Sequence, residues 1–138
     1  MRRRRFGLGV LGLLAGGAMA PDPDEKAAIE RVIRDQLAAF ARNDGAAAYA
    51  LAAPSLRRLF SSVEIFMRMV ERAYPPLWRA RAAVFRDLVI ENGEPVQRVL
   101  LTGPDGRVWL ALYAMERQPD GAWRIAGCTL IGAAGTDA

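Results

Sequence analysis

Asn92-Gly93-Glu94-Pro95-Val96-Gln97-Arg98-Val99-Leu100-Leu101-Thr102-Gly103-Pro104-Asp105-Gly106-Arg107-Val108-Trp109-Leu110-Ala111-Leu112-Tyr113 alternates turn chemistry with apolar runs. Asn92-Gly93 suits a tight hairpin in which both central residues take positive φ. Gly103-Pro104-Asp105-Gly106 is a second turn signal, and Gln118-Pro119-Asp120-Gly121 repeats its Pro-Asp-Gly core downstream. The three signals separate four expected strands, near 80–91, 95–102, 107–117 and 122–131. Loops this short join only antiparallel neighbours. The run 107–113 is apolar at both odd and even positions, so both faces of its strand need cover.

Upstream of the strands the apolar period is helical. Asp22-Pro23-Asp24-Glu25 starts a helix: Asp22 caps, Pro23 suits the first helical position, and Glu25 completes a capping-box spacing. Ile29, Val32, Ile33, Gln36, Leu37 and Phe40 then share one face. Asn43-Asp44-Gly45 is expected to end it, with glycine in the left-handed cap. A short alanine-rich helix over 46–52 carries Tyr49 and stops at Pro54, and a further turn or two is expected over 55–60. Ser61 and Glu64 make a second capping-box spacing, followed by the stripe Val63, Phe66, Met67, Val70 and Tyr74, which Pro75-Pro76 stops. The expectation is an α+β fold, with N-terminal helices packed on a four-stranded antiparallel meander.

Residues 1–20 read as an address rather than as part of that fold. Four arginines (Arg2, Arg3, Arg4, Arg5) precede an apolar run over 6–14 and the small residues 15–20, which is secretory signal anatomy. The run is too short to span a bilayer. Ala18-Met19-Ala20 has the form of a cleavage site, although Pro21 would then occupy an unfavourable first mature position, so cleavage after Gly17 or Ala18 is the alternative. Arg3-Arg4-Arg5-Phe6 also fits a twin-arginine pattern. The Sec route is the primary expectation and the twin-arginine route the alternative. The expected location is the periplasm or the exterior. One domain over 21–132, a flexible tail over 133–138 and no transmembrane segment after cleavage complete this layout.

Composition excludes more than it selects. The 138 residues are 52% hydrophobic and 25% charged, which suits one small globular domain. The formal charge is +4, but the 15 acidic residues all lie beyond residue 20 and balance the 15 basic residues there, so no bulk electrostatic case for nucleic acid survives. The absence of histidine removes His triads, His-metal sites and a His base. A single cysteine, Cys128, rules out an intrachain disulfide and a Cys metal cluster. No phosphate loop, nucleophile motif or metal-ligand spacing occurs, and no cofactor or metal is expected.

The segments Ile33-Arg34-Asp35-Gln36-Leu37-Ala38-Ala39-Phe40, Ala52-Ala53-Pro54-Ser55 and Phe66-Met67-Arg68-Met69-Val70 carry a resemblance. It continues in Gln97-Arg98-Val99, Trp109-Leu110-Ala111-Leu112-Tyr113 and Asp120-Gly121-Ala122-Trp123-Arg124-Ile125-Ala126-Gly127-Cys128. Across nearly all of 21–138 the chain resembles the bacterial family DUF 4864. The resemblance implies a cystatin-like, nuclear transport factor 2-like cone, in which a long N-terminal helix and its partners pack into a curved sheet. That fold hosts isomerases, dehydratases, hydrolases and many non-catalytic binding modules, so it implies architecture more than activity.

Five residues are candidates for a pocket: Gln36, Phe40, Tyr49, Trp109 and Tyr113. Gln36 interrupts an apolar stripe, so its amide either ties the helix to buried backbone or water, or contacts a ligand. Trp109 and Tyr113 share a strand face, serving either as core or as an aromatic pocket wall. Cys128 and Arg124 count onto one face, about 13 Å apart along the strand, too far for the arginine to activate the thiol. Asp87 counts onto the face of Phe85 and Val89, where it is either a half-buried carboxylate or a partner of Arg98. Seven arginines over 57–86 face only Glu64 and Glu71. They form either a solvated face or a dock for an anionic partner. The primary expectation is a non-catalytic module binding a small hydrophobic ligand or a protein partner. The alternative is a small isomerase- or hydrolase-like enzyme using a lone carboxylate or Tyr. The doubly apolar strand further predicts a homodimer through the sheet.

Overall fold

The computed structural model describes residues 22–133. The expected signal over 1–20 and, apart from Ala133, the expected tail over 133–138 lie outside the described residues. Ala133 donates its N–H to Val108 O, so the chain remains paired at its last described position. No helix among the described residues is long and apolar enough to cross a membrane.

Helix α1 (Pro23–Ala41) is capped by Asp22, whose carboxylate accepts from Asp24 N. The expected reciprocal box does not form, because Glu25 reaches across to Arg117 at 3.1 Å. The helix ends differently from the expectation as well. Asn43, not glycine, takes the left-handed conformation (φ 58°). Asp44 then caps α2 (Gly45–Ala50), accepting from Ala47 N. Gly45 is needed for space: a Cβ there would meet Val63 Cγ1 at 2.8 Å.

Helix α3 (Pro54–Arg57) is one turn. Helix α4 (Val63–Ala73) is capped by Ser62, one residue later than the Ser61 spacing suggested, and its hydroxyl accepts from Ile65 N. The two prolines stop α4 and open a further turn, α5 (Pro75–Trp78).

Strands β1 (Ala82–Glu91), β2 (Glu94–Thr102), β3 (Val108–Arg117) and β4 (Trp123–Gly132) form one open antiparallel meander in chain order. Asn92 and Gly93 both take positive φ, 53° and 81°, as a twisted two-residue hairpin requires. Ala52 adds a short parallel bridge to β4, with Ala53 N donating to Ile125 O at 2.7 Å.

Two β-bulges correct the simple alternation. One lies between Phe85 and Leu88, the other where Ala114 and Met115 meet β4. An extra residue at a bulge moves every later side chain to the other face. Phe85 and Leu88 therefore both face the helices, Val89 faces away, and Asp87 is exposed 3.9 Å from Arg98. Likewise Cys128 pairs with Tyr113 on the helix side, while Arg124 pairs with Glu116 on the opposite side. The shared face expected for Arg124 and Cys128 does not exist.

The β1 bulge leaves Arg86 O free of the ladder. It accepts from Gln97 Nε2 at 2.9 Å and from Lys26 Nζ at 2.8 Å, so α1 and β2 together pin it. The core lies between the helices and the sheet face carrying Val99, Leu101, Ala111, Tyr113, Met115 and Ile125. Ile29, Ile33, Phe40, Phe66 and Val70 fill it from the helix side. The Phe66 ring is the hub, with ring centroids 5.4 Å from Tyr49, 5.4 Å from Phe60 and 6.1 Å from Phe40.

Candidate functional site

The helices and the sheet do not close completely. Between α1, α4 and strands β3 and β4 lies a small chamber of about 60 Å³. Its apolar wall includes Phe40, Leu56, Phe66, Met69, Val70 and Leu77, and its polar side chains are Gln36, Tyr74, Tyr113 and Cys128. Outside it, a groove of about 870 Å³ runs along Tyr74, Pro75, Pro76, Trp109 and Leu130, with Asp105, Arg107 and Thr129 at its edge. Tyr74 and Cys128 line both spaces and therefore stand where the groove meets the chamber.

Local chemistry explains the opening. α4 ends because Pro75 cannot continue it, so Tyr74 caps both α4 and α5 while its ring still packs against the core. On the sheet side, the β4 bulge turns Cys128 inward beside Tyr113. Arg107 lies 5.3 Å from the centroid of the Trp109 ring, a cation–π contact at the groove wall.

The candidate residues divide accordingly. Gln36, Phe40 and Tyr113 line the chamber, and Trp109 lines the groove. Tyr49 lines neither: its hydroxyl donates to Arg57 O at 3.1 Å and its ring packs edge-on against Phe66. Gln36 donates from Nε2 to Ala48 O at 3.0 Å, tying α1 to α2. Tyr113 is fully buried and its hydroxyl has no hydrogen-bond partner. Burial, and secondarily the neighbouring Cys128, push its phenol well above the ordinary value of 10.0. Burial also pushes the Cys128 thiol up to about 12, although the residue as a whole is only half-buried.

Both groups are thus protonated at neutral pH. The phenol is a hydrogen-bond donor there, not a base, and the thiol is not a nucleophile. No carboxylate lines the chamber. Among the described residues no cluster of three or more His, Cys, Asp or Glu side chains could hold a metal ion. Sequence reasoning passed over Tyr74 and the inward turn of Cys128. The Pro75-Pro76 stop was the available signal for the first, and none existed for the second.

Arg79, counted within the arginine-rich segment, is not part of a solvated face. Its guanidinium donates to Phe40 O and to Asn43 Oδ1, each at 2.8 Å, and stacks on Trp78 with 4.6 Å to the ring centroid. It closes the C-terminal end of α1.

The fold and groove define an α+β domain with an apolar recess between its helices and one sheet face. The chain belongs to the family described as a domain of unknown function (DUF4864), whose model matches residues 22–138. Nothing among curated proteins and nothing among solved structures matches it.

Proposed function

We propose that this domain is an exported, non-catalytic module of the nuclear transport factor 2-like cone kind that binds a small hydrophobic ligand. The observation that carries the reading is the apolar chamber opening past Tyr74 and Cys128 onto a larger groove walled by Trp109 and Leu130. Binding sites are concave and mostly apolar, with a few placed polar groups, and this recess has that composition. The signal-like segment 1–20 supports export. Phenylnaphthylamine, which fluoresces in apolar surroundings, tests the reading. It is expected to brighten with the full chain and to lose most of that signal in Trp109→Ala, which removes the aromatic wall of the groove. No brightening with wild type removes the proposal.

A second reading, a small enzyme, is favoured by one observation, the unpaired Tyr113 hydroxyl in the chamber. Its raised pKa suits hydrogen-bond donation or proton delivery rather than proton abstraction. A carboxylate version has less support, since Asp87 is exposed beside Arg98 and lines neither the chamber nor the groove.

We also propose that a second copy of the chain covers the sheet face turned away from the helices. Val84, Leu100, Leu110 and Ile131 form a continuous cross-strand row there, with Val84 56% and Ile131 46% exposed.

A further inference from the structure

The chamber contains a donor that the protein leaves unused. A buried hydroxyl without a partner is costly, and such groups in folded proteins mark sites completed by something else. Tyr113 is 0% exposed, its hydroxyl has no partner, and it lines the chamber. We propose that the chamber receives the neutral, oxygen-bearing end of an apolar ligand, with a ligand carbonyl accepting a hydrogen bond from Tyr113 Oη. This rests on the ligand-binding reading above and names the chemistry of what is bound.

Three features select that chemistry. The first is size: about 60 Å³ holds roughly two water-sized groups. That is room for a carbonyl and one flanking carbon, not for a ring. The body of the ligand must therefore pass Tyr74 and Cys128 and lie in the groove, against Trp109 and Leu130. The second is charge: no Lys, Arg, Asp or Glu lines the chamber. A carboxylate or ammonium head would be buried without a counter-charge, which is strongly disfavoured. The third is the state of the Tyr113 hydroxyl: burial keeps its proton far above neutral pH, so it can only donate, while the protonated Cys128 thiol opposite is already directed at Thr129 O at 4.0 Å. An unused donor and no cation suit an acceptor head that is polar but uncharged, such as a ketone, an aldehyde or an ester.

The test compares methyl heptyl ketone with octanoate on the full chain and on Tyr113→Phe, which keeps the ring and removes only the hydroxyl. Phenylnaphthylamine serves as an apolar reference probe for the groove. The ketone is expected to bind wild type about five- to tenfold more tightly than Tyr113→Phe, as loss of one hydrogen bond predicts. Its infrared carbonyl band should lie at lower frequency in wild type than in the variant. Phenylnaphthylamine affinity and the melting temperature should not fall in the variant. Equal ketone affinity and an unshifted band, with the apolar probe still bound, would overturn this inference alone and leave a trapped water as the hydroxyl's partner. Octanoate binding more tightly than the ketone would overturn the neutral head. Failure of both the ketone and the apolar probe to bind wild type would overturn the ligand-binding reading together with it.

Discussion

Tyr113 and Cys128 stand directly opposite each other on β3 and β4, both turned toward the helices, and both hold their protons beyond their ordinary pH. The relationship has a sign. In the unfolded chain the thiol deprotonates near its ordinary 9.0, whereas in the folded protein it does so near 12. Between those values the unfolded state binds fewer protons, so stability falls as pH rises. The phenol acts in the same direction from its ordinary value of 10.0 upward. Each group steepens the fall by up to about 1.4 kcal/mol per pH unit. Thermal melts from pH 7 to 11 should show a midpoint that is level below about pH 8.5 and declines above it. Cys128→Ala should make the decline shallower. An equal slope in wild type and Cys128→Ala would show that the thiol is not held in the folded state.

Gln36 tests how the chamber floor is built. Its amide bond to Ala48 O is buried, but Ala48 O also accepts from Leu51 N at 3.3 Å. Gln36→Leu therefore removes one of two bonds to that carbonyl rather than orphaning it. The expected loss is at the low end for a buried hydrogen bond, about 1 kcal/mol, or a few degrees in melting temperature. A raised midpoint in differential scanning calorimetry would instead mean that the amide serves the chamber more than the fold.

The strands were legible because their turns are written in local backbone chemistry. Gly93, Gly106 and Gly121 all take positive φ, at 81°, 87° and 89°, at the three turn signals, and the observed strand limits fall within two residues of the expected ones. The helix ends were less legible: the Ser61–Glu64 spacing points one residue early, and the adjacent Ser62, whose hydroxyl accepts from Ile65 N, is the cap. The bulges were not legible at all. Nothing in Phe85-Arg86-Asp87-Leu88 announces an extra residue, since the carbonyl it frees is satisfied by Gln97 and Lys26 from distant positions. The candidate site inherited that blindness: Gln36, Phe40 and Tyr113 were found from their stripe and strand, but the neighbour that joins chamber to groove, Cys128, depends on the second bulge.

Arg79 ties the end of α1 to α5 through two carbonyl-type acceptors at once, Phe40 O and Asn43 Oδ1. A guanidinium can serve both because its donors are forked, while a lysine ammonium is a point donor without that geometry. Arg79→Lys should cost about 1–2 kcal/mol and Arg79→Ala about 2–3 kcal/mol, by the worth of charged hydrogen bonds. Urea melts read both values. Equal stability of wild type and Arg79→Lys would reduce the residue to a stacking partner of Trp78.

Export is tested by fractionation. The full chain expressed in a Gram-negative host should yield a periplasmic product shortened by about 17–20 residues, as signal anatomy predicts. Replacing Arg3 and Arg4 by lysine keeps the charge and removes the arginine pair. Unimpaired export of that double variant assigns the Sec route, and blocked export assigns the twin-arginine route. A full-length product retained in the cytoplasm would end the export reading.

Assembly through the outer sheet face follows from arithmetic on the sheet. Four strands about 4.8 Å apart, nine or ten residues long at about 3.3 Å each, present roughly 600 Å² per copy. Two copies bury about 1,200 Å² in total, the lower end of stable specific interfaces. The centre of that face is apolar: Leu100 and Leu110 are flanked by Val84 and Ile131, with Val108 and Leu112 on the neighbouring rows. Arg98, 3.9 Å from Asp87, adjoins Leu112 on that face, and Arg124 stands opposite Glu116 further toward one end of β3 and β4, so the apolar row is bordered by charge on one side. The modest area predicts a dimer in the micromolar range, so light scattering at tens of micromolar should give twice the chain mass and dilution should lower it. Leu110→Glu places a charge at the centre of the contact and should yield a folded monomer with an unchanged circular dichroism spectrum. Ala111→Glu, one residue along, points into the helix-facing core where Ala111 is 0% exposed, and should unfold the chain instead. A wild-type monomer at tens of micromolar, or a Leu110→Glu variant that remains dimeric, would sink the sheet-mediated dimer.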